Sequence, residues 1–316
     1  MPTYNRKDLL AVCLEALLRQ TRPLDEVLVV DNASSDGTAE MVTEKFGSRV
    51  TYLRLPENAG SSGGFYRGME WAFERGHDWI WCMDNDAAPD DDCLQKLLDA
   101  PCPGDVPVAA RLCARREPES GKPYAEAGIV DAENQSQWNL SEKGWSHFEG
   151  KVLAVDVAPW GGLLVEARAA RQTRAEWRDM FTWFDDYLFS YELRKEGRIL
   201  FVADAKMAHP PHRLRSVLDR KHGGERLVAR QFWKAYYDFR NCFRWEQLEF
   251  GSWTAWRRYL PLYFRFLVGI LLFDDFKLYR LGIRTKAMVD IALGRWSGRV
   301  DPGEFERRYG KALKAR

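Results

Sequence analysis

Histidine is scarce in this 316-residue chain, at five residues, and cysteine is not much commoner, at six. Cys13, Cys82, Cys93, Cys102, Cys113 and Cys242 include no C-x-x-C pair. That disfavours a thiolate zinc site or a dithiol redox motif. With no secretory leader pattern at the start, the thiols read as reduced and the chain as cytoplasmic. A long apolar run is also missing: Leu260–Phe273 is interrupted by Arg265 and falls short of the roughly 20 residues a membrane-spanning helix needs. There is no internal repeat and no low-complexity tract. Hydrophobic residues make up 46% and charged residues 29%, which excludes a disordered chain. The length suits one large domain, or a domain with an appendage.

Net charge is almost absent, at +1, but its distribution is uneven. Residues 1–205 hold 23 Lys+Arg against 35 Asp+Glu, a net of −12; residues 206–316 hold 24 against 11, a net of +13. A basic second region suits anions such as phosphates or acidic lipid. The acidic first region, with no nucleic-acid module in view, argues against a nucleic-acid partner.

The most informative stretch is Trp79–Asp92, WIWCMDNDAAPDDD. Trp79–Met83 has the bulk and length of a buried strand. It ends abruptly on Asp84-Asn85-Asp86. Two carboxylates at the carboxyl end of a core strand are costly unless a positive charge sits there, and strand carboxyl ends are where open α/β sheets bind ligands. Mg²⁺ or Mn²⁺ is commonly held by one or two carboxylates with substrate phosphates. A metal–diphosphate site is therefore one reading, and a polar turn closed by Pro89 is the other.

Before this stretch, Pro2–Arg6 resembles a strand end entering a turn, so the first strand is either very short or begins upstream of Met1. Asp8 is placed to cap a helix over Leu9–Gln20. Glu26–Val30 is a β-branched strand suited to burial on both faces, and Asp36 or Thr38 caps a helix through Phe46. Val50–Leu55 is another strand. Asn58–Gly68 is a glycine-rich turn leading into a helix near Met69–Arg75. Strand–helix–strand alternation predicts a parallel α/β sheet. Further on, Asp99–Ser146 is weakly periodic and reads as loops and short strands. Val152–Val157 and Ile199–Val202 are strands, and Tyr187–Glu196 is a helix. From Glu225 the pattern is helical, aromatic and basic.

Four constellations bear on chemistry. Asp31, at a strand's carboxyl end, can accept from a nucleobase N–H or a ribose hydroxyl, or can cap a helix. The turn containing Asn58 and Gly60 offers backbone amides, and Arg67 a phosphate partner or a solvated helix charge. Asp84–Asp86 is the third. Asp185-Asp186 and His209, about a hundred residues later, stand where sheet-end loops could return to the same pocket; Asp185 could equally cap a helix and His209 be a loop histidine.

Taken in order, Pro2–Arg6, Val29–Thr38, Asn58–Gly68, Asp84–Asp86, Trp160–Gly162, Phe184–Asp186 and His209 resemble the inverting family-2 glycosyltransferases of GT-A fold. The resemblance covers roughly Met1–His212. The Asn58–Gly68 turn and the WIWCMDND form look most like bacterial galactofuranosyltransferases, with rhamnosyltransferases next. It implies an α/β GT-A domain, Rossmann-like, with a mostly parallel central sheet flanked by helices. It further implies that Thr3, Tyr4, Asn5, Arg6, Asn58, Gly60, Arg67 and Asn85 face a nucleotide sugar. Asp31 would bind the uracil, Asp84 the ribose or the metal, and Asp86 and His209 a Mn²⁺ or Mg²⁺ ion. Asp186 would be the general base, with Asp185 the alternative, and Trp160, Gly161 and Gly162 would line the sugar and acceptor pocket. Galactofuranosyltransferases usually carry an acid two positions after the second Asp of the pair; here that position is Leu188.

The expected organisation is a catalytic domain over 1–212 and a basic, aromatic helical region over 213–316. The expected activity is metal-dependent transfer of a sugar to a glycan or lipid-linked glycan acceptor, with UDP-galactofuranose as donor and dTDP-rhamnose as the alternative. A sugar-nucleotidyltransferase would need a phosphate-gripping loop with Lys or Arg at the first strand end, and Asn5-Arg6 provides none. An inactive nucleotide-sugar-binding partner is the remaining reading. The basic region is either an ordinary helical subdomain or an interfacial one at the inner face of the plasma membrane. Homo-oligomerisation stays open.

Overall fold

The computed structural model describes residues 1–102, 104–125, 127–131, 136–140, 144–173, 175–210, 231–305 and 307–309. His212 and His222 lie outside the described residues. The chain forms two compact units, one of Met1–Arg178 with Asp185–Pro211, the other of Asp179–Phe184 with His212–Arg316.

In the first unit the order begins β1 (Pro2–Thr3), α1 (Lys7–Leu18), β2 (Leu28–Asp31), α2 (Thr38–Phe46), β3 (Thr51–Arg54), α3 (Gly60–Glu74) and β4 (Trp79–Cys82). It continues β5 (Ala88–Pro89), α4 (Cys93–Asp99), β6 (Val108–Arg116), β7 (Pro123–Tyr124), β8 (Gly128–Asp131), β9 (Ser136–Asn139) and β10 (Val152–Val155). It ends with β11 (Leu163–Glu166), α5 (Ala167–Gln172), α6 (Asp185–Leu193) and β12 (Arg198–Ala208).

β1, β2 and β3 form a parallel sheet in which Thr3 pairs with Asp31 and Asp31 with Arg54. The register aligns three polar side chains at the strands' carboxyl ends. Val29 and Val30 are fully buried, as a parallel strand covered on both faces requires. The second sheet runs β10-β12-β6-β11-β4, with β5 on β12 and β7 on β6. It is mixed: β12 and β6 are parallel, while β11 lies antiparallel between β6 and β4. The parallel expectation thus describes the first sheet and one pair of the second. β4 ends the strand order, and Trp79, Ile80 and Trp81 are only half-buried, less than the sequence suggests.

The apolar face of α1 is as expected: Leu10, Cys13, Leu14 and Leu17 are buried in a core shared with Val29, Met83 and Leu164. Asp8 is not its cap but lies in its first turn. Asp36 takes that part instead, accepting from the Lys7 backbone N–H at 3.0 Å and from the Thr38 backbone N–H at 3.2 Å. One carboxylate thereby satisfies the starts of two helices. Two strands are longer than the sequence suggests. β6 has nine residues within a stretch read as loops and short strands, and β12 has eleven where four were expected. They pair with each other, so long-range hydrogen bonding, not local propensity, extends both.

The second unit holds α7 (Lys234–Phe250), α8 (Ser252–Phe273) and α9 (Lys277–Ala292). Tyr236, Tyr237, Phe239, Phe243, Tyr259 and Tyr279 dominate its core. No helix among the described residues is long and apolar enough to cross a membrane.

Candidate active site

The site grows from the carboxyl end of β4. Asp84 and Asp86 follow that strand, and His209 follows β12. His209 is fully buried, and its Nε2 lies 3.3 Å from Asp84 Oδ2 and 3.3 Å from Asp86 Oδ1. The His209 backbone N–H donates to Arg116 O at 3.0 Å, which fixes the residue to the end of β6. One donor atom from each of Asp84, Asp86 and His209 falls within 4.8 Å of the others. Two carboxylates and an imidazole are a donor set that Mn²⁺ or Mg²⁺ accepts. With a buried imidazole already directed at both acids, the residues fit such an ion.

Two guanidinium groups hold these acids. Arg6 donates to Asp86 Oδ2 at 2.7 Å. Arg115, on β6 and 2% exposed, lies 3.5 Å from Asp84 Oδ2 and donates to Gly161 O at 3.2 Å. Burial pushes the Asp84 carboxyl up, but His209 and Arg115 outweigh it and hold it below the usual carboxylate value. For His209, burial and Arg115 pull the imidazole down, and the two carboxylates overcome both, leaving it raised. Tyr124 donates its hydroxyl to His209 O at 3.2 Å. Arg115 and Tyr124 escaped the sequence reading because each acts through a pairing, β6 with β12 or with β7, that no local pattern encodes.

Gly161 and Gly162 are required by sterics. A Cβ on Gly161 would sit 2.2 Å from Asp84 Oδ2 and 2.8 Å from an Arg115 nitrogen. Gly162 has φ +87°, and a Cβ there would meet Cys113 Sγ at 2.2 Å. These glycines let the backbone entering β11 lie against Asp84. Trp160, expected to line a pocket, is 4% exposed. It stacks on Phe65 with ring centroids 4.6 Å apart and contacts Phe189 at the same separation. Its indole N–H donates to Asp185 Oδ2 at 2.8 Å.

Asp185 also accepts from Ser61 Oγ at 3.2 Å, and burial raises its carboxyl above the usual range despite these donors. Asp186, the second residue of α6, is half-buried, and its Oδ1 accepts from the Tyr187 backbone N–H at 2.8 Å. Leu188 is buried in the same helix.

The other anticipated residues divide into two groups. Asn85 donates to Thr3 Oγ1 at 3.0 Å, tying β1 to the Asp84–Asp86 turn. Asn5, in a left-handed backbone with φ +50°, donates its N–H to Ser34 Oγ and accepts from the Ser35 N–H at 2.8 Å. The Thr3–Asn85 and Arg6–Asp86 bonds thus tie the chain's first turn to the Asp84–Asp86 turn, beside His209, while Asn5 bonds to Ser34 and Ser35. Asp31 is fully buried and accepts from Ser34, from Tyr52 at 2.5 Å and from Arg54 at 3.0 Å. Burial and this bond push the Tyr52 hydroxyl up to about 12. A nucleobase reaching Asp31 would have to displace one of these donors.

Arg67 stands apart, exposed on α3 and 3.6 Å from Glu70. Tyr4 is 44% exposed. The glycine-rich stretch is not a turn, since α3 begins at Gly60 itself. Asn32 makes this so: its Oδ1 accepts from the Ala59 N–H at 3.0 Å and its Nδ2 donates to Gly60 O at 3.2 Å. Asn58 Oδ1 accepts a further bond from the Gly60 N–H at 2.9 Å. Gly64 lets the helix pack on Pro2, which a Cβ would approach to 2.5 Å.

The parallel sheet and the mixed second sheet give the α/β arrangement expected of a GT-A fold. Residues 1–134 match the model of the family described as glycosyl transferase family 2. Galactofuranosyltransferase GlfT1 of Mycolicibacterium smegmatis is 43% identical over 98 residues, covering 30% of this chain and 32% of that protein. Undecaprenyl-phosphate mannosyltransferase of Micrococcus luteus is 34% identical over 113 residues, covering 35% and 46%. The match thus spans less than half the length of each relative. Among solved structures, GalNAc-T7 with UDP, GalNAc and Mn²⁺ superposes with a TM-score of 0.50 at 15% identity, over 66% of this chain and 42% of that one; the likeness is one of fold.

Proposed function

We propose that this chain is an inverting glycosyltransferase that moves a sugar from a nucleotide donor to a glycan or lipid-linked glycan acceptor. The observation that carries the reading is the convergence of His209, from the end of β12, on Asp84 and Asp86 at 3.3 Å each. UDP-galactofuranose is the preferred donor, supported by the 43% identity to a protein named for galactofuranosyl transfer. dTDP-rhamnose is the alternative. The second relative, named for an undecaprenyl-phosphate acceptor, favours a lipid-linked acceptor and hence work at the inner face of the plasma membrane.

Asp84, Asp86 and His209 would hold Mn²⁺ or Mg²⁺, which when bound supplies positive charge to a departing diphosphate. Arg6 and Arg115 keep the two acids apart and oriented. Asp186 takes the proton from the acceptor hydroxyl, a contribution typically of 10²–10⁴-fold. The acceptor oxygen forms the new bond to the anomeric carbon. The bond from that carbon to the nucleoside diphosphate breaks, and the electron pair leaves with the nucleotide. Asp185, engaged by Trp160 and Ser61, supports the start of α6 from which Asp186 projects.

The test is thermal stabilisation by UDP, dTDP, GDP and ADP, each with and without Mn²⁺. A shift with UDP that requires Mn²⁺ supports a UDP-sugar donor; at a ligand concentration of about 100 times Kd it amounts to about 2.7 kcal/mol. A preference for dTDP moves the donor to rhamnose. No shift with any nucleotide overturns the reading. Sugar transfer to an acceptor then separates an enzyme from an inactive nucleotide-sugar-binding partner.

A further inference from the structure

We propose that the outward face of α8 docks on a bilayer surface carrying anionic phospholipid headgroups. This extends the lipid-linked acceptor reading, and its test uses no nucleotide sugar, so either can fail alone. With 22 residues, α8 is about 33 Å long and is apolar on two opposite sides. Ala255, Tyr259 and Ile270 are buried in the second unit's own core, and Thr254 is buried as well. On the other side Trp253 is 80% exposed, Leu272 64%, Phe264 57%, Val268 54%, Leu271 51% and Leu260 44%. Positions 253, 257, 260, 264, 268 and 271 follow one another at three- and four-residue intervals, so they form a single stripe along the helix. Contiguous exposed apolar surface of this kind marks an interaction site.

Charge selects the partner. From Ser252 to Phe273 there is no Asp or Glu. Arg257 is exposed within the stripe and Arg265 beside it; beyond its end Asp274 and Asp275, the latter paired with Arg280, precede the exposed Lys277. Arginine and lysine stems lie along apolar surface while their charged heads reach outward. An apolar stripe with basic residues at its edges fits the boundary between acyl chains and phosphate headgroups. The helix lies along such a surface and does not cross it, since no helix among the described residues meets the requirements of a span and α8 carries Arg257, Arg258 and Arg265.

The experiment is flotation of the full chain with vesicles of phosphatidylcholine alone, and of phosphatidylcholine mixed with phosphatidylglycerol. The chain is expected to float with the mixed vesicles and to lose about tenfold or more in partitioning when Phe264 and Val268 are both changed to Ser. Arg257→Glu with Arg265→Glu should abolish the preference for phosphatidylglycerol. All these side chains are exposed, and unchanged Tm values will show that the variants are folded. A chain that stays soluble with both vesicles overturns the proposal, as does a serine variant that floats like the wild type. A serine variant that changes from dimer to monomer while still floating assigns the stripe to self-association and equally overturns it.

Discussion

Trp160 Nε1 donates to Asp185 Oδ2 at 2.8 Å, which places the adjacent acids Asp185 and Asp186 in different surroundings. Asp185 is 2% exposed and bonded to two side chains, whereas Asp186 is half-buried and bonded through a backbone N–H. On the proposed reaction, Asp186→Ala abolishes transfer and leaves Mn²⁺-dependent UDP binding intact. Parallel turnover and calorimetric measurements check this; donor binding lost together with turnover would remove Asp186 from the role of base.

Asp185 is expected to reveal itself through stability instead. Its carboxyl is raised by burial, with Trp160 and Ser61 only partly opposing. A carboxyl whose folded pKa exceeds its unfolded value favours the folded state when protonated. That contribution is present below the unfolded value, about pH 4, and is lost as pH rises through the folded pKa. Asp185→Asn keeps an acceptor for Trp160 and removes the ionisation. The variant's Tm relative to wild type should therefore rise between about pH 4 and pH 7. A difference independent of pH would show that folding does not raise the Asp185 carboxyl.

How much of this was legible in the sequence depends on how local each cause is. The β2 strand, the apolar face of α1 and the Asp84–Asp86 turn are written in short patterns of β-branched, i,i+3/i+4 and acidic residues, and all three appear where expected. β6, by contrast, is built of Ala, Arg and Cys with no clear period, and only its pairing with β12 and β11 makes it a strand. Arg115 rides on that strand and was invisible for the same reason. Asn58–Gly68 looked like a turn because glycine disfavours helix. The Asn32 amide, 27 and 28 residues away from its partners, overrides that preference.

Gly161 offers a test of how closely the backbone must approach the acid. An added Cβ would lie 2.2 Å from Asp84 Oδ2, so Gly161→Ala must push that carboxylate aside. Mn²⁺ affinity measured by calorimetry should fall by about 10–100-fold, as for loss of a group that orients a metal ligand. Asp86→Ala is expected to abolish metal-dependent donor binding altogether. A normal Mn²⁺ titration in either variant would separate that residue from the metal site.

Arg115 should respond oppositely to metal. Arg115→Met removes a buried cation that Asp84 and the Gly161 carbonyl both use. Losing that donor at the Gly161 carbonyl, and one of the two positive partners of Asp84, costs about 1–3 kcal/mol without metal. A divalent ion can replace the lost positive charge at Asp84, so the variant should gain more Tm from Mn²⁺ than the wild type does. Equal gains would mean that Arg115 and the ion do not share Asp84.

The last prediction concerns the second unit alone. Phe181, Trp183 and Phe184 all hold left-handed backbones, with φ of 68°, 68° and 64°, conformations that cost an L-residue about 1–2 kcal/mol each. Asn241 on α7 holds them there: its Nδ2 reaches Met180 O at 3.1 Å and the Thr182 and Trp183 carbonyls at 2.7 Å each. Arg240 adds a bond to Met180 O at 3.1 Å, and Phe181 stacks on Tyr237 at 5.0 Å. Asn241→Leu keeps the volume and removes the donors, so the strain is no longer offset. The expected loss is about 1–3 kcal/mol, with faster amide exchange over 180–184 than over the middle of α7. Protection unchanged in that segment would show that aromatic stacking, not the Asn241 amide, holds the backbone in place.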